Sequence, residues 1–326
     1  MSPIGKKGKK EIEELDMKKI FTAIACVTFL FLGTAVHAQQ DPQFTMNMFN
    51  RLYANPGYAG SNNGICANVL HRQQWVGFEG RPVTTMANVD ATVKALHGGV
   101  GISILSDGLG AQYSGGVNLS YAFRLDLGPG TLGIGVEGGV LFNTLHGEDL
   151  VAIQAGDPEI LGLGTANGMA PDLGFGIYYH TDKLYAGISA KHLISPKIDF
   201  EFDGSSTYTV ARHYYAMAGY TWDIDPVWSL SPSVFLKTDA ASTQFDINVR
   251  ALWKNMVWAG VSYRIDDAVG IMAGVNIKSF RVGYSYDVTT SGINNYSSGS
   301  HEIMLGYCYK LQSPISNQRY RNVRFL

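Results

Sequence analysis

Between Tyr113 and Asp126 the chain alternates without a break. Tyr113, Gly115, Val117, Leu119, Tyr121, Phe123 and Leu125 are apolar or small, and Ser114, Gly116, Asn118, Ser120, Ala122, Arg124 and Asp126 lie between them. A period of two puts the first set on one face of a strand and the second on the other. The rhythm returns in Leu173, Phe175, Ile177, Tyr179 and in Phe280, Val282, Tyr284, Tyr286, Val288, each interleaved mainly with glycine and polar residues. One face suits hydrocarbon and the other water, which is the pattern of a transmembrane β-barrel.

Applied along the chain, the pattern predicts strands over 64–74, 83–94, 98–106, 111–126, 131–142, 171–180, 183–192, 207–222, 226–238, 243–254, 257–264, 269–277, 279–288 and 301–311. The predicted fold is therefore all-β, an outer-membrane barrel of about fourteen antiparallel strands. Odd-numbered connections, among them 77–81, 143–170, 193–206 and 289–300, hold every long loop, while the even-numbered ones are tight turns at 95–97, 127–130, 181–182, 223–225, 255–256 and 278. Short periplasmic turns and longer external loops follow from outer-membrane assembly; a soluble sandwich or solenoid has no reason to segregate them. An even strand count places the N- and C-termini together, in the periplasm of a multi-pass outer-membrane protein.

The water-facing set carries Asp90, Lys94, Arg124, Glu137, Lys191, Asp246, Arg250, Arg281, Asp287, Glu302 and Lys310, expected as a solvated ion-pair network in the lumen. Phe245, Ile247, Val249, Ala251, Trp253 and Val257, Ala259, Val261, Tyr263 face lipid. By the same parity, arginine should block assembly at Leu305 and be tolerated at Met304. Cys66 and Cys308 fall on the inward set at equal depth in the first and last strands, so closure brings them together at the seam. Whether they bond is open.

Lys18 and Lys19 precede an apolar run over 20–36, and Val36-His37-Ala38 supplies small residues for a cut after Ala38. This reads as a secretory signal peptide with its functional start at Met17, so residues 1–38 are set apart as an upstream extension and removed leader. Elsewhere no apolar stretch approaches the ~20 residues that a membrane helix needs. Charged residues make up 16% of the chain and the net charge is −2, which points away from nucleic acid and leaves outer-membrane lipid as the bulk partner. The 18 Tyr suit interfacial girdles, and the 38 Gly let strands coil.

No motif carries catalytic chemistry. Gly128-Pro129-Gly130-Thr131-Leu132-Gly133 fits a dinucleotide fingerprint but enters a strand instead of a helix. His146-Gly147-Glu148-Asp149 lacks a second His at ligand spacing. The pairs Asp223/Asp225 and Asp266/Asp267 sit at turns, where Asp bonds nearby amides. Ser195, Ser205 and Ser206 lack a nucleophile context. The expectation is a non-enzyme with no cofactor and no metal.

The most specific stretch precedes and enters the first hairpin: Asp41-Pro42-Gln43-Phe44, Met48-Phe49-Asn50, Asn55-Pro56-Gly57-Tyr58-Ala59-Gly60-Ser61, Arg72-Gln73-Gln74-Trp75-Val76-Gly77-Phe78, then Pro82 and Thr84. With His301-Glu302-Ile303-Met304-Leu305-Gly306-Tyr307 near the end and a basic tail closing in Asn322-Val323-Arg324-Phe325-Leu326, this resembles the PorP/SprF family of the Bacteroidetes, associated with type IX secretion and gliding motility. Gly57 stands where the family's Asn-Pro-Ala-Tyr core has Ala, and Val323 where Pro is common.

The resemblance implies a barrel that holds secreted cargo through its C-terminal sorting domain and links to periplasmic ring or peptidoglycan-associated lipoproteins. Loops 143–170, 193–206 and 289–300 are the candidate cargo surfaces. Four parts follow: the leader at 1–38, a periplasmic head or plug at 39–63, the barrel at 64–312 and a basic tail at 313–326. The head is too aromatic to dangle, so it packs across the periplasmic mouth, plugs the lumen or binds a partner. Phe44, Phe49, Asn55, Pro56, Tyr58, Arg72, Gln74, Trp75, Arg321 and Arg324 are the candidate plug or partner-binding residues. A rival class, a channel for small solutes, needs an open lumen; a lipid-modifying enzyme needs a clustered nucleophile and base.

Overall fold

In the computed structural model, which describes residues 41–150, 164–200 and 206–310, the alternating segments pair into one antiparallel sheet that closes on itself. The strands are β1 (Gly64–Gln73), β2 (Val83–Val93), β3 (Gly98–Leu109), β4 (Gln112–Leu127), β5 (Gly130–His146), β6 (Thr165–His180), β7 (Leu184–Lys191), β8 (Lys197–Phe200), β9 (Ser206–Thr209), β10 (His213–Tyr220), β11 (Trp222–Asp223), β12 (Trp228–Thr238), β13 (Thr243–Trp253), β14 (Val257–Arg264), β15 (Ala268–Ile277), β16 (Phe280–Thr289) and β17 (Ser300–Lys310). Fourteen of them form the barrel wall, β8 and β9 form a separate hairpin, and β11 is a two-residue extension against β12. The ring closes where β1 meets β17, from Gly64 opposite Lys310 to Gln73 opposite His301.

Parity follows the sequence. Leu119, Ile271 and Leu305 are 63%, 59% and 51% exposed on the outer face, while the neighbouring Asn118 and Met304 are 4% and 0% exposed inside. Cys66 and Cys308 stand directly opposite, their Cα atoms 4.1 Å apart, and a disulfide joins them across the seam. That spacing belongs to a non-hydrogen-bonded pair of an antiparallel ladder.

Three expectations need correction. First, β5 and β6 pair as far as His146 and Thr165, well beyond the predicted ends at 142 and 171, so the wall rises higher there. Second, the predicted strand 207–222 divides: Ser206–Thr209 folds back on Lys197–Phe200, and the wall strand starts at His213. Ile198 and Phe200 bury themselves against Ala166 and Ala170, so the apolar residues of this loop serve a small satellite core. Third, the lumen is not simply wet. Leu70, Met86, Trp258, Met272 and Met304 point inward and form one cluster with Phe44, Met46, Met48, Phe49 and Tyr53 of the pre-barrel segment. The parity of Met304 is as expected, but arginine there would enter that core instead of a wet lumen.

Candidate functional site

Residues 41–63 run through the lumen from one end to the other. Asp41 lies among His192, His213 and Lys237, at the end that carries the long connections. Gly60 and Ser61 reach Asp90, Thr92 and Arg124 at the tight-turn end, where β1 begins. The segment has little regular structure: single turns at Asn47–Phe49, Arg51–Ala54 and Pro56–Tyr58. Its backbone groups are met partly by its own turns and partly by wall side chains, among them Glu302, Ser189, Lys191 and Asp90.

Near the long-loop end, Arg72 binds Asp287 at 2.7 Å and Glu302 at 3.2 Å, and Arg264 binds Asp246 at 3.0 Å, all of them buried. The same carboxylates hold the plug. Glu302 accepts the amides of Thr45 and Met46 at 2.8 and 2.9 Å, Asp287 accepts the Thr45 hydroxyl, and Asp246 accepts the side-chain amides of Gln43 and Asn47. A carboxylate fixed by arginine is a strong acceptor for an amide, so the ion pairs of the wall are the docking groups of the plug. The expected solvated ion-pair network is in fact buried and shared with the head.

At mid-lumen Phe49 packs on Trp258, ring centroids 5.0 Å apart, and Lys191 bridges Glu137 at 3.2 Å and the Tyr53 carbonyl at 3.1 Å. Asn55 is fully buried and uses both ends of its amide. Its Oδ1 accepts from the Gly57 amide at 2.8 Å, capping the turn, and its Nδ2 donates to the carbonyls of Ile177 and Ile188 at 3.0 and 3.1 Å. Pro56 fixes φ at the first position of that turn. Here plug backbone touches wall backbone: a Cβ on Gly133 or Gly135 would lie 2.1 or 2.3 Å from Gly57 atoms, and one on Gly57 itself 2.9 Å from the Gly133 carbonyl. Glycine at 57, where alanine was expected, is thus fitted to its groove. Tyr58 stacks edge-on against Tyr178, 5.3 Å between centroids.

Asp41 closes the long-loop end as a latch. Its carboxylate meets His192 Nε2 at 3.1 Å and accepts from the Tyr215 hydroxyl; its amide donates to His213 Nε2 at 3.0 Å, and Lys237 donates to its carbonyl. Burial alone would raise the Asp41 carboxyl, but His213, His192 and Lys191 hold it well below the usual carboxylate range. One ligand-type atom each from Asp41, His192 and His213 lies within 4.8 Å of the others, a spacing that a divalent ion could use. His192 Nε2 already meets the Asp41 carboxylate, His213 Nε2 accepts from the Asp41 amide and His192 Nδ1 meets Asp172 at 3.0 Å, so the group stands as an ion-pair latch.

Of the candidate residues, Phe44, Phe49, Asn55, Pro56, Tyr58 and Arg72 meet inside the lumen. Gln74 and Trp75 lie apart, in the first long-end loop, with Trp75 at φ 53° and its amide on the Ser300 hydroxyl at 3.1 Å. Arg321 and Arg324, with the rest of the tail and the leader, lie outside the described residues, as do 151–163 and 201–205 of the proposed cargo loops. Gly64 and Lys310 share the tight-turn end, yet Asp41 sits at the opposite one. Sequence reasoning passed over His192, His213, Lys237, Arg264 and Arg51. The available signal was inward parity for His213, Lys237 and Arg264 and, for Arg51, its place in the aromatic head; His192 follows the inward Lys191, so parity put it on the outer face, and its φ of 55° turns it inward.

A lipid-type exterior around a lumen threaded by the chain's own N-terminal segment defines a plugged outer-membrane β-barrel. The sequence profile of the family described as type IX secretion system membrane protein PorP/SprF matches residues 36–307, and the chain belongs to that family. Comparison with curated proteins gives no match. Solved structures similar to it include the Ralstonia pickettii toluene transporter TbuX (11% identity, 80% of this chain and 93% of that one, TM-score 0.48), the monoaromatic hydrocarbon channel CymD (11%, 80% and 93%, TM-score 0.44) and Acinetobacter baumannii outer membrane protein Omp33 (9%, 76% and 98%, TM-score 0.43).

Proposed function

We propose that this barrel acts by binding: it holds secreted cargo, through the cargo's C-terminal sorting domain, on its long-loop end at the cell surface. Its tight-turn end faces the periplasm, where it links to the ring or peptidoglycan-associated lipoproteins of the type IX apparatus. The observation that carries the reading is the plug. A lumen occupied from Asp41 to Ser61, with the wall's ion pairs committed to the plug, suits an anchor better than the rival solute channel. Membership of the family supplies the secretion context. The Cys66–Cys308 bond fits export to an oxidising compartment. On the long-loop end, Ile194 and Tyr296 are 47% and 71% exposed and offer apolar contact to cargo.

A pull-down of the tagged full-length protein from its native membrane, after brief crosslinking, should recover proteins bearing the sorting domain together with periplasmic lipoproteins. Recovery of neither, with single-channel conductance by the intact protein in a planar bilayer, would replace this reading with the solute channel.

A further inference from the structure

The lumen is divided by charge. Toward the long loops, Arg72, Arg264 and Lys191 each face carboxylates. Toward the tight turns the balance reverses. Arg51 donates to the Tyr178 hydroxyl at 3.1 Å and lies over the Tyr185 ring at 3.7 Å; Arg250 and Arg281 lie over the Phe49 ring at 4.9 and 4.8 Å. Among the described residues none of these three guanidiniums forms an ion pair. The Nε atoms of Arg51 and Arg250 are buried without a hydrogen-bond partner. Both side chains are largely buried, and a guanidinium cannot discharge by losing its proton.

Uncompensated buried charge is among the costlier features a fold can carry. Arg51 and Arg250 line one cavity of about 140 Å³ beside Tyr58, Tyr178, Tyr220 and Ser231. Its one lining carboxylate, Asp182, stands exposed at the rim, and Lys183 beside it is paired with Asp223 at 3.0 Å. Hydroxyl donors and two forked cations around a space of this size match an oxyanion.

We propose that this cavity at the tight-turn end is an oxyanion site, taking the carboxylate or phosphate group of a small ligand between Arg51 and Arg250. The plug forms one wall of the site, since Arg51 and Tyr58 belong to it, so anion binding and plug docking support each other. The inference stands independently of the cargo reading.

The test uses the full-length protein in detergent, titrated with inorganic phosphate and separately with succinate, against chloride at matched ionic strength. At least one of the two should bind at 1:1 stoichiometry by calorimetry and raise the melting temperature; which one does identifies the anion. Arg250→Met should weaken that binding about ten-fold or more, the scale of a lost charge-assisted hydrogen bond. It should also leave the anion-free melting temperature unchanged or higher, because it removes a charge that has no counter-charge. A merely structural arginine would lower it. Should Arg250→Met fail to fold, Arg51→Gln takes its place in the binding assay. Absence of binding by both anions to the unaltered protein, or equal binding by the variants, overturns the proposal.

Discussion

At the scale of single residues, the informative groups are charges that the plug shares with the wall. Glu302 serves Arg72 and two plug amides at once, so removing either partner leaves a buried polar group unpaired. Arg72→Met and Glu302→Gln should each cost about 3 kcal/mol or more, and the double variant clearly less than their sum. Heat-modifiable gel mobility of the folded barrel gives these values; strict additivity would mean the pair is not coupled. Asp41 has a depressed carboxyl, so its contribution is present above the ordinary carboxylate value of about 3.9 and is lost as pH falls through the lower folded value. Lowering pH from 7 to 5 should therefore leave Asp41-dependent protection of the plug from protease intact. Protection that differs between the unaltered protein and Asp41→Asn at pH 7 but vanishes by pH 5 would contradict this.

At the scale of strands, adjacent positions in β17 separate two environments. Leu305→Arg places charge against lipid at a cost of ~2–4 kcal/mol near mid-bilayer and should lower the amount in the membrane. Met304→Arg strikes the plug core instead, so it should yield an assembled barrel whose head is accessible to protease. Equal protease resistance of Met304→Arg and the unaltered protein would show that the core yields easily. The wall was legible in the sequence because lipid on one face imposes a strict period of two, and fourteen strands emerged with their parity. The plug was legible only as aromatic excess. Leu70, Met86, Trp258, Met272 and Met304 already broke the polar rule of the inward face, and that anomaly pointed to an apolar occupant of the lumen. The β8–β9 hairpin stayed hidden because four-residue strands carry too few alternations to separate from a loop. The latch at Asp41 pairs residues more than 150 positions apart, for which no local pattern exists.

At the scale of the molecule, removal of residues 41–61 should leave a barrel that inserts and conducts in a planar bilayer, whereas the intact protein stays closed. A truncated protein that remained non-conducting would mean that the wall collapses inward or that the loops seal the mouth. Orientation has its own measurement: a single cysteine at Asn294 should label on intact cells, and one at Asp182 or Asn255 should not.

The seam bond changes the connectivity of the whole. With Cys66 joined to Cys308 across 242 positions of chain, the wall is a covalent macrocycle, and the segment before Cys66 passes through its centre. The protein is a lasso. Its tail cannot leave sideways by parting β1 from β17, as it could from a barrel held by backbone hydrogen bonds alone; it can only be drawn out along the axis. A load drawn along the thread from its Asp41 end would be borne by the ring, which is a property suited to a mooring.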